Sequence, residues 1–187
     1  SPGSWKLRDP SLASGGNPYW FRHGIIVPRG VDLVGAGKDS SKVIKTLDWK
    51  SVIYGTNNII SVFALMGNNE VHDLHLASEG FNLPVQSYIT YFVIGKIIGL
   101  EPIAANDPAF IENVSIYNNK FSDRSTMYTA IESLGYPVKN IFITNNQFEA
   151  YYNALLFSSN PNEKSIRLNI KDSVISYNTV LPGDYID

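Results

Sequence analysis

Two stretches of the chain share one pattern of apolar and polar positions. Ile111–Phe121 reads IENVSIYNNKF, and Val138–Phe148, which begins 27 positions later, reads VKNIFITNNQF. The alternation of apolar and polar residues in both predicts a β-strand with one buried face. The Asn-Asn pair that follows tolerates the left-handed backbone of a sharp corner. Each copy therefore predicts a strand, a corner and a second short strand that opens at Phe121 or Phe148.

Two weaker copies flank the strong pair. Val71–Phe81 reads VHDLHLASEGF, and Ile170–Val180 reads IKDSVISYNTV. Aligned from their first residues, they place Asp73 in the position of Asn113. One strand–corner–strand unit cannot bury its apolar row alone and must stack on its neighbours. The repeats therefore predict a parallel β-solenoid.

The predicted fold is all-β: a single-stranded, right-handed parallel β-helix with inserted loops that occupies residues 24–187. Right-handedness is expected because strand–crossover–parallel strand connections are right-handed in nearly all proteins. Residues 1–23 are interpreted as the remnant of an expression tag, SPGS, followed by an aromatic N-terminal cap. The interval 82–108 departs from the repeat rhythm and predicts an insertion with a short helix or hairpin. Such an insertion either walls a binding groove or covers one side of the solenoid.

The first part of this domain resembles a known family. The run GIIVPRGVDLVGAGKDSSKVI, residues 24–44, is similar to the first complete coil of the pectate-lyase-like superfamily of right-handed β-helices. NVSIYNNKF and NIFITNNQF resemble later coils of that superfamily. The resemblance implies the fold and suggests polysaccharide lyase, glycoside hydrolase or phage tailspike activity, although the superfamily also has members without known catalysis. The acidic G-A-x-G-D-G opening common in its enzymes is absent here.

Composition narrows the classes of partner. The chain has 15 Lys and Arg against 17 Asp and Glu, so a net charge of -2 gives no electrostatic footprint for nucleic acid. The absence of cysteine excludes disulfides and thiolate metal sites. The richest apolar run, Tyr91–Leu100, is shorter than the ~20 residues of a membrane-spanning helix. We therefore expect no nucleic-acid partner, no membrane insertion and no cofactor, except calcium if the protein is a lyase.

Asp73, His75 and Glu79 form the first candidate cluster. If the leucines between them face the core, Asp73 and His75 lie on the solvent face of one strand, about 7 Å apart. A carboxylate beside an imidazole orients it for general-base chemistry, and Glu79 would reach over the corner. The alternative is that Asp73 only bonds the backbone at the start of the strand. No role is expected for His72.

A second candidate is a column of carboxylates. Glu79, Asp123 and Glu149 lie at or beside matching repeat positions, so stacking would place them on one side of the solenoid. Paired carboxylates at about 5–9.5 Å carry glycoside hydrolysis. Ordinary charge on a solvated face is the alternative. For elimination, Arg124 and Tyr117 are the candidate groups for stabilising an enolate and moving a proton.

Outward aromatic residues supply candidate substrate platforms. They could stack on sugar rings or be buried under a neighbouring subunit. The predicted substrate-binding residues are Tyr117, Phe142, Glu149, Tyr151 and Tyr152. The corner residues Asn118–Asn119, Asn145–Asn146 and Asn178 predict a structural ladder of stacked amides.

These observations favour an extracellular polysaccharide-binding or polysaccharide-degrading protein, secreted or virion-associated. Its predicted partner is a polysaccharide, and a homo-oligomer is possible, trimeric in the case of a tailspike. The competing hypothesis is a non-catalytic structural or adhesive β-helix of a virion or cell surface.

Overall fold

The computed structural model describes residues 22–45, 58–78, 87–95, 111–123, 127–134, 138–150, 153–158, 170–171 and 174–181. All regular elements of this part of the chain are β-strands. No helix of the described part is long and apolar enough to cross a membrane.

The strands form five successive coils. The first coil holds β1 (Arg22–Val27), β2 (Leu33–Val34) and β3 (Lys42–Lys45). The second holds β4 (Asn58–Leu65), β5 (Asn69–His72) and β6 (His75–Ser78). The third holds β7 (Ser87–Ile94), β8 (Ile111–Tyr117) and β9 (Lys120–Asp123). The fourth holds β10 (Met127–Leu134), β11 (Val138–Thr144) and β12 (Gln147–Ala150). The fifth holds β13 (Asn153–Ser158), β14 (Ile170–Lys171), β15 (Val174–Ser176) and β16 (Thr179–Leu181).

The strands assemble into three parallel sheets. Sheet A has the order β1-β4-β7-β10-β13, and sheet C has the order β16-β12-β9-β6-β3. Sheet B has the order β14-β11-β8-β5-β2, and β15 also pairs with β11. Each coil visits A, then B, then C, and every strand pairs with its equivalents in the next coils. This is the arrangement of a parallel β-solenoid, so the prediction of an all-β parallel stack is confirmed.

The core lies between the sheets and is built by the predicted alternation. Val114 and Ile116 of β8 are fully buried, whereas Ser115 between them is partly exposed. Phe121 and Phe148 also turn inward, and their rings stack with centroids 4.9 Å apart. Equivalent apolar side chains thus pack on one another from coil to coil, because parallel in-register pairing repeats each inward position.

A left-handed residue resets the alternation early in β8 and β11. Asn113 and Asn140 have φ values of 57° and 52°, a conformation that Asn tolerates better than most residues. Ile111 and Val114, three positions apart, are consequently both buried. The side chains of these asparagines form an exposed ladder: the amide of Asn140 donates to Asn113, and that of Asn113 donates to Asn68, each at 2.9 Å.

A second ladder closes the corner between sheets B and C. It consists of Asn119, Asn146 and Asn178, each at the second position of the corner. The Asn146 side-chain oxygen accepts from the Asn119 backbone N–H at 3.0 Å, and its amide donates to the Ile116 carbonyl at 2.8 Å. The predicted structural role of these asparagines is confirmed. Buried backbone groups at the corner are hydrogen-bonded because each asparagine bridges neighbouring coils.

The register of the second coil differs from the prediction. Val71 pairs with Ile116 and not with Ile111, so Asp73 lies beside Asn118 rather than Asn113. Leu76, not Phe81, lies opposite Phe121. The predicted alignment of the weak copy was therefore wrong by five residues, whereas the pairing of Ile170 with Val138 is confirmed.

Part of the predicted insertion belongs to the regular solenoid. β7 lies inside the interval 82–108, yet it is the central strand of sheet A, between β4 and β10. Tyr91 and Phe92 on this strand are fully buried. For these eight residues the prediction of an excursion is corrected, because sequence rhythm marks sheet A poorly. The remaining predicted insertion, and the predicted cap in residues 1–21, lie outside the described residues.

Candidate functional site on the outer face of sheet B

The outward side chains of sheet B form two parallel rows, which we call the B face. One row contains Glu70, Ser115, Phe142 and Val174, and the other contains His72, Tyr117, Thr144 and Ser176. Adjacent members of a row come from successive coils, about 4.8 Å apart. Four coils thus present an open strip about 14 Å long, in which the residue type changes at every step.

An aromatic pair lies at the centre of the B face. The rings of His72 and Tyr117 stack with centroids 4.6 Å apart and planes only 10° from parallel. The row continues with the short Thr144, so no third ring covers the second face of Tyr117. Phe142 lies diagonally across in the other row and is 40% exposed. The two predicted aromatic platforms, Tyr117 and Phe142, therefore share one surface.

Asp73 holds the histidine of this pair. Its Oδ2 lies 2.8 Å from His72 Nδ1, and its Oδ1 accepts a hydrogen bond from the Asn118 side-chain amide. These two bonds, that from His72 first, lower the pKa of Asp73, so it is ionised at neutral pH. Because an ionised carboxylate only accepts, Nδ1 of His72 carries the proton, and Nε2 of the neutral ring is an acceptor.

Backbone conformation fixes where this carboxylate lies. Asp73 and Asn118 occupy the first corner position of their coils, with φ values of 60° and 53°. Asn145 repeats the conformation in the next coil at 55°. Asp and Asn are the non-glycine residues that adopt this left-handed region at least cost.

Glu70 lies on the other side of the aromatic pair. The Tyr117 hydroxyl donates to Glu70 Oε2 at 3.1 Å. Burial and this hydrogen bond raise the pKa of Tyr117, so the phenol remains a donor. Asp32 adds a third carboxylate nearby, because its Oδ1 accepts from the Glu70 backbone N–H at 2.7 Å. The centre of the B face therefore combines aromatic surface with negatively charged acceptors.

The predicted pair of Asp73 and His75 does not exist. Asp73 lies in the corner and turns toward His72, whereas His75 begins β6 and belongs to sheet C. His75 Nε2 contacts the Ser122 hydroxyl instead. The corner between the two residues places them on different sheets, a feature that strand alternation alone does not anticipate. Glu79, the third member of that cluster, lies outside the described residues.

His72 is the functional candidate that the sequence analysis missed. The five-residue error in register aligned His72 with Glu112, a solvated position, when it is opposite Tyr117. A usable signal was present: Leu74 and Leu76 match the inward positions of Asn119 and Phe121. Aligning those two positions would have brought His72 beside Tyr117.

The predicted carboxylate column is not formed as expected. Glu149 pairs with Ser122, and Asp123 pairs with Ala150, so the two acidic residues occupy successive positions and different rows. Glu149 lies on sheet C, where its carboxylate is 3.8 Å from Lys120 Nζ. Its predicted place beside the aromatic platforms is therefore corrected.

The other predicted residues add nothing to this site. Arg124, Tyr151 and Tyr152 lie outside the described residues, as does the side chain of Asp123. Within the described ranges, no group of three or more His, Asp or Glu residues is arranged to hold a metal ion. The expectation of calcium in a lyase stays a prediction.

Comparisons of the chain with protein-family models, with curated proteins and with solved structures gave no match. The resemblance to the pectate-lyase-like superfamily therefore stays a prediction that rests on the sequence motifs.

Proposed function

We propose that this chain is a right-handed parallel β-helix that binds a polysaccharide along the B face. The observation that carries the proposal is the stacked His72–Tyr117 pair flanked by the carboxylates of Glu70 and Asp73. Saccharides present apolar C–H patches and many hydroxyl donors on one molecule. Aromatic surface beside ionised acceptors complements both.

The shape of the B face supports a linear ligand. Its rows run along the stacking direction without a closing wall among the described residues, and Phe142 extends the aromatic surface by one coil. A chain of sugar rings would contact several coils at once. Each contact is weak, and affinity accumulates along the chain because successive contacts are made within one molecule.

The charge of the site favours a neutral saccharide. Asp32, Glu70 and Asp73 bring three carboxylates close to the aromatic pair. A uronate would meet like charges there, and the repulsion would be largest at low salt. A hydroxyl-rich neutral chain can instead donate hydrogen bonds to the same oxygens, which are strong because the acceptors are charged.

We propose binding rather than cleavage for Asp73. A general acid in glycoside hydrolysis needs a raised pKa, whereas hydrogen bonds from His72 and Asn118 lower the pKa of this carboxyl. The proposed setting is extracellular, secreted or virion-associated, where polysaccharides of this kind are met. The right-handed winding rests on the general preference of parallel crossovers.

The test is binding to a panel of purified neutral polysaccharides, with polygalacturonate and alginate as uronate-rich members. Calorimetric titration should detect a neutral polysaccharide, and Tyr117→Ala should raise its Kd about tenfold, equivalent to about 1.4 kcal/mol. Thr179→Ala, an exposed position in the outward row of sheet C, is the matched control and should leave Kd unchanged. Equal binding by wild type and Tyr117→Ala, or no binding to any polysaccharide, would contradict the proposal.

One observation favours a structural or adhesive role as the second candidate. In the fifth coil Ile175 and Val180 occupy core positions, opposite Ile143 and Phe148, yet they are 47% and 61% exposed. Apolar surface of this kind marks interaction sites when it is contiguous. Sedimentation equilibrium tests it: a homo-oligomer that dissociates in Val180→Asp without loss of strand content would support this role, whereas a monomer would reject it.

A further inference from the structure

The outward side chains of sheet C, which we call the C face, hold a second chemically suggestive pair. His75 of β6 and Ser122 of β9 lie on adjacent strands, at diagonal outward positions of the parallel register. Leu76 and Phe121 beside them are fully buried, which directs His75 and Ser122 away from the core. The Nε2 atom of His75 and the Oγ atom of Ser122 are in hydrogen-bond contact. Different coils therefore bring together a hydroxyl and an imidazole.

Charged groups surround this pair on both sides. Lys42 of β3 and Lys120 of β9 occupy the positions in register with His75. Burial first, and then these two lysines, lower the pKa of His75, while Glu149 of β12 and Asp39 before β3 act in the opposite direction. The net effect keeps the imidazole neutral at pH 7, the state in which it can accept a proton.

We propose that Ser122 and His75 form a nucleophile–base pair on the C face that cleaves carboxylic esters with small acyl groups by acyl transfer. This activity is independent of saccharide binding at the B face. The geometric requirement for an activated serine is a hydroxyl within hydrogen-bond reach of a base, and the contact between Ser122 and His75 meets it.

The proposed reaction has two half-reactions. Ser122 Oγ attacks the ester carbonyl carbon, and its proton moves to His75 Nε2, which requires the tautomer with hydrogen on Nδ1. The electron pair of the C=O bond moves onto oxygen, and the Lys120 ammonium lies close enough to offset that charge. Collapse of this intermediate breaks the ester C–O bond, and the leaving alkoxide takes the proton from Nε2. Water then attacks acyl-Ser122, gives its proton through His75, and releases the acid.

The surroundings set the class of substrate. The described C face is an open strand surface rather than a cleft, so it offers little enclosure for a long acyl chain. The flanking lysines favour esters whose leaving alcohol is neutral or anionic. Small acyl groups such as acetyl are therefore the expected substrates.

The test combines turnover with chemical labelling of the whole chain. p-Nitrophenyl acetate is the substrate, and a fluorophosphonate is the label for an activated serine. Wild type should release p-nitrophenolate and gain one adduct on the peptide that contains Ser122. Ser122→Ala should lose both, and His75→Gln should reduce the rate at least about 100-fold. Ser115→Ala, an outward serine of the B face, should retain both activities.

The pH profile separates a base from a structural histidine. The wild-type rate should rise with pH and level off below pH 6.5, because burial and the neighbouring lysines lower the pKa of His75. Circular dichroism of each variant checks folding, and labelling of the wild type needs no variant. Absence of a Ser122 adduct, or an unchanged rate in folded His75→Gln, would overturn the proposal.

Discussion

Two rows of side chains run along the solenoid at the end of sheet B, and they differ in what fixes their residue types. The buried row at the corner holds Asn119, Asn146 and Asn178, each bonded to backbone in adjacent coils. The exposed row two positions earlier holds His72, Tyr117 and Thr144, all different. The buried row is uniform because every coil offers it the same backbone partners. The exposed row is free to vary, so its residues reflect the local surface.

The buried row should carry the largest stability effect. Asn146→Ala leaves the Asn119 N–H and the Ile116 carbonyl without their side-chain partner in a site that is 2% exposed. Each unsatisfied buried group costs about 1–3 kcal/mol, so unfolding free energy should fall by about 4 kcal/mol. Urea denaturation followed by circular dichroism measures it. A loss below about 1 kcal/mol would show that the ladder is not a main source of stability.

Glu132 tests the cost of a buried polar residue without a ladder. Its carboxyl accepts from Thr90 Oγ1 at 2.6 Å through Oε2, while Oε1 has no hydrogen-bond partner among the described residues. Burial raises the pKa of Glu132. The unfolded chain therefore loses this proton first, and stability falls as pH rises above the unfolded value of about 4.3 toward the folded pKa.

Glu132→Gln should remove that pH dependence. The variant should be more stable than wild type at pH 8, and the advantage should shrink as pH falls toward 4. Thermal unfolding at a series of pH values measures the difference. Parallel curves for the two proteins would mean that Glu132 does not titrate between these limits in the folded state.

The exposed asparagine ladder separates conformation from hydrogen bonding. Asn113→Gly removes the side-chain bonds but suits the left-handed backbone, so we expect a loss of about 0.5 kcal/mol or less. Asn113→Ala removes the same bonds and adds the steric cost of φ 57°, about 1 kcal/mol more. Denaturant curves of both variants measure the gap. Equal stability would assign the position to hydrogen bonding alone.

The smallest stability effect is expected at the B face itself. Hydrogen bonds from His72 and Asn118 lower the pKa of Asp73, so its contribution is present above the unfolded value of about 3.9 and is lost as pH falls through the folded pKa. Asp73→Asn should remove this acid sensitivity and change little at pH 7. Melting temperatures between pH 2 and pH 7 measure it, with Glu132→Gln as background to remove the opposing titration.

The same contrast explains how far the sequence could predict the structure. Val114, Ile116 and the corner asparagines recur because inward positions must match from coil to coil, and from them the parallel stack and its corners were predictable. Asp73 and Leu74 replace the corner asparagines in the second coil, which removed the marker that sets the register there.

The candidate site depended on that lost register. Tyr117 and Phe142 were predicted correctly as outward residues because they lie in the strong copies. His72 and Glu70 lie in the weak copy, and only the three-dimensional pairing places them beside Tyr117. Departures from a repeat therefore deserve as much weight as the repeat when a site is sought on a solenoid.

Chemical-shift mapping tests the proposed saccharide surface most directly. The isotopically labelled chain would be titrated with oligosaccharides of the neutral polysaccharide that binds best. The account predicts shifts at His72, Tyr117 and Phe142 on the B face, with Gln147 and Thr179 of sheet C unchanged. Shifts concentrated on sheet C, or none at saturating oligosaccharide, would contradict it.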